Sequence, residues 1–239
     1  MSKLLTEFVD LPDIQIAYTQ YGNGHTLLLL HGNSESKSLF TQHQIKHFPM
    51  FHTIAIDSRG HGESKSNDAV YTINQFSDDV IDFCNAKGIR EAYVIGYSDG
   101  GNIALFLAKK APELFTRIVA ISPNYLVSGT TDDGLRLIKR LYKIMSFLTR
   151  IGFNFKKSMM RFNLMLTDIG ITDDELKCIQ TDIKIIYAEH DMIKETHLQQ
   201  LAELIPTATL DKVNDCNHMT ILNKNEAIEI MKNYLLEQN

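Results

Sequence analysis

One segment constrains the fold of this chain more than any other, the sequence G-Y-S-D-G-G at residues 96–101. An apolar run at 92–95 precedes it, and a helix-forming run at 102–108 follows it. A strand, a sharp turn and a helix in this order hold the central serine in a strained backbone conformation with its hydroxyl exposed. Gly96 and Gly100 suit a turn in which strand and helix backbones approach too closely for side chains. Glycine and serine are also common in ordinary turns, so the rest of the chain must decide what this motif means.

The composition indicates one large globular domain, or one domain carrying an insertion. The 239 residues are 44% hydrophobic and 22% charged, and a net charge of −5 argues against nucleic acid as a partner. We expect no integral membrane association, because no apolar stretch is long enough to span a bilayer or to act as a signal peptide. Cys84, Cys178 and Cys216 are odd in number and widely spaced, which predicts free thiols, a cytoplasmic location and no metal site. The oligomeric state stays open.

Alternating strand and helix patterns predict an α/β fold with an eight-stranded, mostly parallel sheet. Alternating residues at 8–11 and 14–18, on either side of Pro12-Asp13, predict an antiparallel hairpin at the start. Six further strands are predicted at 27–30, 53–56, 92–95, 117–121, 183–187 and 208–213. Helices on both faces of the sheet are predicted at about 38–48, 73–87, 102–111, 195–204 and 224–236.

The segment 125–181 interrupts this alternation. It carries no strand pattern, and Thr172-Asp173-Asp174-Glu175 predicts the start of a helix within it. A connection of this length is expected to be structured or functional. We therefore predict an α/β core, 1–124 and 182–239, with a helical cap (lid) at 125–181 inserted over the carboxyl edge of the sheet, where open α/β sheets bind ligands.

Five short motifs follow one another in a specific order. They are His31-Gly32, Asp57-x-Arg59-Gly60-His61-Gly62-x-Ser64, Gly96-x-Ser98-x-Gly100-Gly101, Glu189-His190-Asp191 and His218. In this order and spacing the chain resembles a serine hydrolase of the α/β-hydrolase superfamily with a helical cap, from about residue 8 to residue 236. The residues around the serine are most similar to those of the esterase and valacyclovir-hydrolase branches. One departure is Thr181-Asp182-Ile183, where many relatives have a proline.

Ser98, Asp191 and His218 are the predicted catalytic triad. A serine hydroxyl needs a histidine to accept its proton, and the histidine needs an anion to fix its tautomer. The order serine, acid, histidine is that of the α/β-hydrolases. Asp191 and His218 each follow a predicted strand, which places them at the same edge of the sheet as Ser98. Glu189 and Asp215 are alternatives for the acid, although Glu189 is nearer to the strand and Asp215 is close to His218 in sequence.

The neighbouring residues are assigned supporting roles. The predicted oxyanion hole consists of the backbone N–H groups of Asn33 and Asp99. His31 and His61 are expected to form hydrogen bonds within their own loops, and Arg59 is expected in an ion pair. Cys216 is interpreted as a spectator thiol.

The resemblance implies hydrolysis of a small-molecule carboxylic ester, thioester or amide, without a cofactor, and carboxylesterase is the default subclass. Epoxide hydrolases and haloalkane dehalogenases carry an aspartate at the elbow, so Ser98 argues against both. Cofactor-free haloperoxidases and carbon–carbon bond hydrolases use the same triad and stay open as alternatives. So does a small-molecule sensor with slow turnover, whose lid moves on binding.

The predicted cap is strongly basic. Between residues 134 and 167 there are eight basic residues and no acidic one: Arg136, Lys139, Arg140, Lys143, Arg150, Lys156, Lys157 and Arg161. Interleaved Met and Phe side chains predict an adaptable apolar lining for acyl or aromatic groups. The basic residues have three interpretations: a solvated face, attraction of esters with an apolar acyl part and an anionic group, or contact with an anionic surface.

Overall fold

The chain is built on one mixed β-sheet in a computed structural model, which describes residues 4–66 and 70–237. Within these residues the sheet has nine strands: β1 (Glu7–Asp10), β2 (Ile14–Tyr21), β3 (Thr26–Leu30), β4 (His52–Ile56), β5 (Lys65–Ser66), β6 (Ala92–Tyr97), β7 (Phe115–Ile121), β8 (Asp182–His190) and β9 (Ala208–Asn217). The strand order is β1-β2-β4-β3-β6-β7-β8-β9, and β5 pairs with β2. The α/β fold class is confirmed, and the two-residue β5 is a strand that the sequence pattern did not predict.

The sheet is parallel where its sequence is continuously apolar. β3 pairs in parallel with β4 and β6, and its side chains from Leu27 to Leu30 are buried. Both faces of such a strand are covered, so it needs no polar alternation. β6, β7, β8 and β9 continue in parallel, whereas β2 is antiparallel to β1 and β4, as the predicted hairpin requires. The carboxyl ends of β3, β4, β6, β7, β8 and β9 therefore meet at one edge.

Helices cover both faces of this sheet. In the part of the chain that the structure describes, they are α1 (Ile73–Lys87), α2 (Asp99–Lys110), α3 (Asp132–Arg150), α4 (Lys156–Leu164), α5 (Asp173–Lys177), α6 (Glu195–Leu204) and α7 (Asn225–Leu236). The apolar sides of α1, α2 and α6 belong to one buried cluster, and α7 belongs to a second cluster on the other face. Gly88 ends α1 in the left-handed conformation, which is typical of a glycine at a helix C-cap.

The helix predicted at about 38–48 is wrong in type. The segment forms a 3₁₀ turn at Lys37–Phe40 and a π turn at His43–His47. The adjacent residues His43 and Gln44 are both buried, and both form hydrogen bonds in the interior: His43 with the carbonyl of Leu222, and Gln44 with Thr19. A wider π turn allows two consecutive polar side chains to reach partners in the interior, whereas hydrophobic spacing alone predicts a regular helix.

The segment 125–181 is helical, as its sequence predicts. Thr131 caps α3, and Thr172 and Glu175 form a reciprocal capping box at α5. Leu176 is fully buried in the same cluster as α1 and α2, so α5 packs on the core. We use the term cap helices for α3 and α4 alone. The division of the chain into core and cap domains stays a prediction.

Candidate active site

Ser98 lies in a tight turn between β6 and α2. Its backbone has φ 54° and ψ −115°, a conformation that a non-glycine residue rarely adopts without a functional reason. A β-carbon on Gly96 would collide with the backbone of Gly100, and one on Gly100 would collide with the carbonyl of Leu30. Both positions thus require glycine because backbones approach there, as the motif predicted. The turn leaves the Ser98 hydroxyl at the carboxyl edge of the sheet.

Ser98, His218 and Asp191 form one chain of hydrogen bonds. The distance from His218 Nδ1 to Asp191 Oδ1 is 2.7 Å, and the distance from His218 Nε2 to Ser98 Oγ is 3.1 Å. The carboxylate of Asp191 can only accept, so it fixes the proton on Nδ1 and leaves Nε2 as the acceptor for the serine hydroxyl. The structure therefore brings together the three residues that the sequence singled out for acyl transfer.

Asp191 is held as a carboxylate by four donors. Its Oδ2 accepts hydrogen bonds from Ser122 Oγ at 2.5 Å and from the Ala188 N–H at 3.1 Å, while Oδ1 also accepts from the Ile193 N–H at 3.0 Å. Burial by itself would raise the pKa of Asp191, but the hydrogen bonds from His218, Ser122 and Ile193 hold this pKa below its usual value. The group stays ionised beside the imidazole and can stabilise an imidazolium.

The position of His218 depends on Tyr97. The Tyr97 hydroxyl donates a hydrogen bond to the backbone carbonyl of His218 at 2.8 Å, and the two rings lie 5.2 Å apart. Sequence reasoning assigned no role to Tyr97 or to Ser122. Each residue was nevertheless marked by its place, because Tyr97 is the variable position before the elbow serine and Ser122 directly follows β7 at the same edge of the sheet.

The loop after β3 forms the other wall of the site. A β-carbon on Gly32 would lie 3.1 Å from the Ser98 β-carbon, so this loop touches the serine. Among the described residues, the backbone N–H groups of Asn33 and Asp99 donate to no protein acceptor. Two free N–H groups at the edge of the site, one of them on the first residue of α2, are the arrangement an oxyanion needs. Their role as the oxyanion hole stays a prediction.

The Asn33 side chain is occupied elsewhere. Its Nδ2 donates to Asp99 Oδ2 at 2.8 Å and to the backbone carbonyl of Arg161, in α4, at 2.7 Å. The Arg161 guanidinium in turn donates from Nη1 to the Gly60 carbonyl at 3.0 Å. These bonds connect α4 to two loops of the core directly above the site.

Besides Asp191 and Asp99, the site contains a third carboxylate, Glu35, which sequence reasoning missed. Its Oε2 accepts a hydrogen bond from the Gly32 N–H at 3.2 Å. A β-carbon built on Gly32 would lie 3.1 Å from this oxygen and also 3.1 Å from the Ser98 β-carbon. Burial raises the pKa of Glu35, and the Gly32 N–H and the nearby His218 counteract that rise. Only the fold reveals this proximity, because Glu35 belongs to no motif.

The other candidates for the acid do not contact His218. Glu189 is exposed and accepts a hydrogen bond from the Asp215 backbone N–H at 2.9 Å, and Asp215 is exposed as well. Asp191 is therefore the carboxylate that the fold places at the imidazole. Cys216 is buried with its thiol directed at the Val213 carbonyl, and burial raises its pKa, which agrees with a spectator role.

The remaining motif residues stabilise loops. His31 donates from Nδ1 to the Gly32 carbonyl and accepts at Nε2 from the Ser58 N–H, so neither nitrogen is free to act as a base. His61 contacts the Arg59 carbonyl, and burial lowers the pKa of His61 to about 3. Arg59 forms a two-point ion pair with Asp79 at 2.6 and 2.9 Å. In the described part of the chain, no group of His, Cys, Asp and Glu side chains is arranged to hold a metal ion.

A row of three cavities lies between the cap helices and the core. The cavity at Ser98 has a volume of about 20 Å³, and its lining includes Ile138 of α3 and Leu164 of α4. Leu164 also lines a second cavity of about 150 Å³, which shares Tyr71 with a third, largely apolar cavity of about 390 Å³. The first has room for about one water molecule.

Comparison with known proteins places this architecture in a family. Residues 25–142 match the family model of the alpha/beta hydrolase fold. The chain also aligns over its length with a solved structure of E-2-(acetamidomethylene)succinate hydrolase, with a TM-score of 0.81, 18% identity, and coverage of 98% of this chain and 99% of that one. A second structure, of Est816, an N-acyl homoserine lactone degrading enzyme, gives a TM-score of 0.76 at 23% identity, covering 95% and 100%. The chain belongs to the α/β-hydrolase superfamily.

Curated relatives match over part of their length. The chain is 31% identical over 127 residues to 2-(acetamidomethylene)succinate hydrolase of Mesorhizobium japonicum, which is 53% of this chain and 46% of the relative. It is 31% identical over 128 residues to the serine hydrolase BPHL of Homo sapiens, which is 51% of this chain and 43% of that protein. These matches span less than half of either relative's length.

Proposed function

We propose that this chain is a serine hydrolase that cleaves small-molecule carboxylic esters through an acyl-enzyme intermediate, with carboxylesterase as the default subclass. The observation that carries the proposal is the chain of hydrogen bonds from Ser98 through His218 to Asp191, at 3.1 and 2.7 Å. The names of the two curated relatives, both hydrolases, support the same class. Thioesters and amides are further substrates for the same chemistry.

In the proposed reaction, the Ser98 oxygen attacks the carbonyl carbon as His218 Nε2 takes its proton. The negative charge that forms on the carbonyl oxygen is received by the backbone N–H groups of Asn33 and Asp99, and Asp191 stabilises the imidazolium. His218 then gives its proton to the departing alcohol, which leaves an acyl group on Ser98. A water molecule, deprotonated by His218, releases the acid and restores the serine.

A panel of p-nitrophenyl esters with increasing acyl length tests the proposal and its alternatives. An esterase should turn over repeatedly and should accept longer acyl groups, because Met159 and Met160 line the apolar cavity of about 390 Å³ beside the cap. Release of one equivalent of p-nitrophenol, followed by arrest, would contradict this function and favour a sensor. The small volume of the cavity at Ser98 and the Arg161 contacts between α4 and the core loops are what keep the sensor as the second candidate. Haloperoxidase and carbon–carbon bond hydrolase activities use the same three residues and need separate product assays.

Replacing Asn33 by alanine should lower kcat by less than about tenfold. Its side chain already donates to Asp99 and to the Arg161 carbonyl, and the proposed oxyanion donor is its backbone N–H, which alanine retains. We would measure kcat with p-nitrophenyl acetate, together with the free energy of unfolding. A fall of about 10²–10³ in kcat in a variant of normal stability would show that the Asn33 side chain itself stabilises the oxyanion.

The basic residues of the cap give a prediction about substrate charge. They are exposed, apart from the half-buried Arg161, so they can attract an anionic ester from solution without lining the Ser98 cavity. For such an ester with an apolar acyl group, kcat/KM should fall several-fold between low and high ionic strength, because salt screens the attraction. The control is a neutral ester of equal length, for which kcat/KM should barely change. Equal responses would contradict steering by the cap.

Two observations bear on the location of the protein. None of the helices in the described ranges is long and apolar enough to cross a membrane. All three cysteines are free thiols. A cytoplasmic location fits these thiols and stays a prediction.

A further inference from the structure

The outward face of α3 carries a row of apolar side chains where a solvated helix would be polar. Six large apolar side chains there, 39–61% exposed, form what we call the outer stripe: Leu137, Leu141, Ile144, Phe147, Ile151 and Phe153. The four within α3 recur at intervals of three and four residues, and the other two continue the row into the turn toward α4. Contiguous exposed apolar patches of this kind mark interaction surfaces.

The outer stripe is bordered by positive charge. The basic residues of α3 are all exposed: Arg136, Lys139, Arg140, Lys143 and Arg150. At 100° per residue, four of them occupy the arc of α3 next to the stripe, and Arg140 falls between Phe147 and Ile144 at its edge. No acidic residue lies between 134 and 167, and the ion pair of Arg136 with Asp133 at the start of α3 neutralises only one of these cations. The outward face therefore combines an apolar row with a basic row.

We propose that α3 docks on an anionic phospholipid surface, with the outer stripe at the level of the acyl chains and the basic row on the lipid phosphates. This division of an amphipathic helix is the pattern of interfacial binding, in which apolar burial and attraction to anionic lipid add together. Each Lys or Arg close to such a surface adds a favourable electrostatic contribution that salt weakens. Docking of this kind is peripheral and requires no membrane-spanning helix.

A second copy of the chain is a poorer partner for the same face. A two-fold contact through the outer stripe would bring the basic rows of both copies close together, with no acidic residue between 134 and 167 to separate them. Like charges at close range oppose association, whereas lipid phosphates pair with them. Charge complementarity thus selects the anionic surface.

Docking would also place the cap cavities near the lipid. Tyr142 and Thr149 lie on the opposite side of α3 from the outer stripe, and both line the apolar cavity of about 390 Å³. A statement about the substrate follows from this placement and rests on the proposed function. The substrate would be an ester whose acyl group partitions into the membrane. Docking itself does not depend on hydrolysis, so the two can fail separately.

The test is co-sedimentation of the full chain with phosphatidylcholine vesicles, with and without phosphatidylglycerol. We expect binding to the anionic vesicles to be at least tenfold stronger than to the neutral ones and to weaken with salt. Two double variants, Leu137→Ser/Phe147→Ser and Lys139→Glu/Lys143→Glu, should each lower binding to the anionic vesicles by about tenfold or more. Ser98→Ala should bind like the wild type, which separates docking from catalysis.

Matched controls address charge and folding. Lys46 and Lys65 are exposed and lie outside the cap helices, so Lys46→Glu/Lys65→Glu changes the net charge equally and should alter binding by less than about threefold. Circular dichroism of every variant checks the fold. Equal binding to both vesicle types, no binding at all, or an equal loss in the control variant would overturn the proposal. So would a dimer in vesicle-free solution that Leu137→Ser/Phe147→Ser dissociates, because a second copy would then cover the stripe.

Discussion

Replacing Ser98 by alanine should lower kcat for p-nitrophenyl esters by about 10⁶-fold, and replacing His218 by alanine should cost about as much. The two residues act in one proton transfer, because Nε2 lies 3.1 Å from the serine oxygen. The double variant should therefore be little slower than either single variant. Steady-state kinetics on the three proteins measures this non-additivity.

A matched control for these variants is Ser34→Ala. Ser34 is exposed, and its hydroxyl bonds only the neighbouring Asn33 side chain among the described residues. The kcat of the Ser34→Ala variant should stay within a few-fold of the wild-type value. If Ser98→Ala retained activity well above that of the double variant, Ser98 would not be the nucleophile.

Replacing Asp191 by asparagine should lower kcat by about 10⁴-fold with little change in the fold. Both carboxylate oxygens accept hydrogen bonds, from His218 and Ile193 on one side and from Ser122 and Ala188 on the other. An asparagine must turn its NH₂ group toward one of these pairs. If it faces His218, the imidazole proton moves to Nε2, and the nitrogen that should accept the serine proton is no longer free.

The control for this variant is Asp215→Asn. Asp215 has a φ of +48°, a conformation that asparagine tolerates well, and it lies near His218 in sequence. We expect its kcat to stay within a few-fold of the wild type. A large loss in Asp215→Asn together with a small loss in Asp191→Asn would reassign the acid.

Sequence patterns predicted the parts of the fold that local chemistry determines. The β3 leucines, the glycines around Ser98 and the helix cap at Thr172 specify a strand, a turn and a helix start respectively. Parallel strands end at one edge of a sheet, and residues 98, 191 and 218 each directly follow a strand. Their proximity could therefore be predicted.

What could not be predicted depends on contacts between distant segments. The π turn at His43–His47 exists because buried side chains find partners in β2 and in the turn before α7. Ser122 and Glu35 reach the site only through the packing of neighbouring loops. The sequence indicated a helical segment with interleaved basic and apolar residues, but not that the apolar residues of α3 divide between the interior and the outer stripe.

Labelling with a fluorophosphonate, followed by mass spectrometry, tests the central proposal most directly. The reagent phosphonylates a serine that is activated by a base, and it needs no knowledge of the natural substrate. We expect one adduct per chain, located by peptide mapping on Ser98, with parallel loss of esterase activity and no labelling of Ser98→Ala. An adduct on another residue, or an unlabelled protein that still hydrolyses esters, would contradict the assignment of Ser98 as the nucleophile.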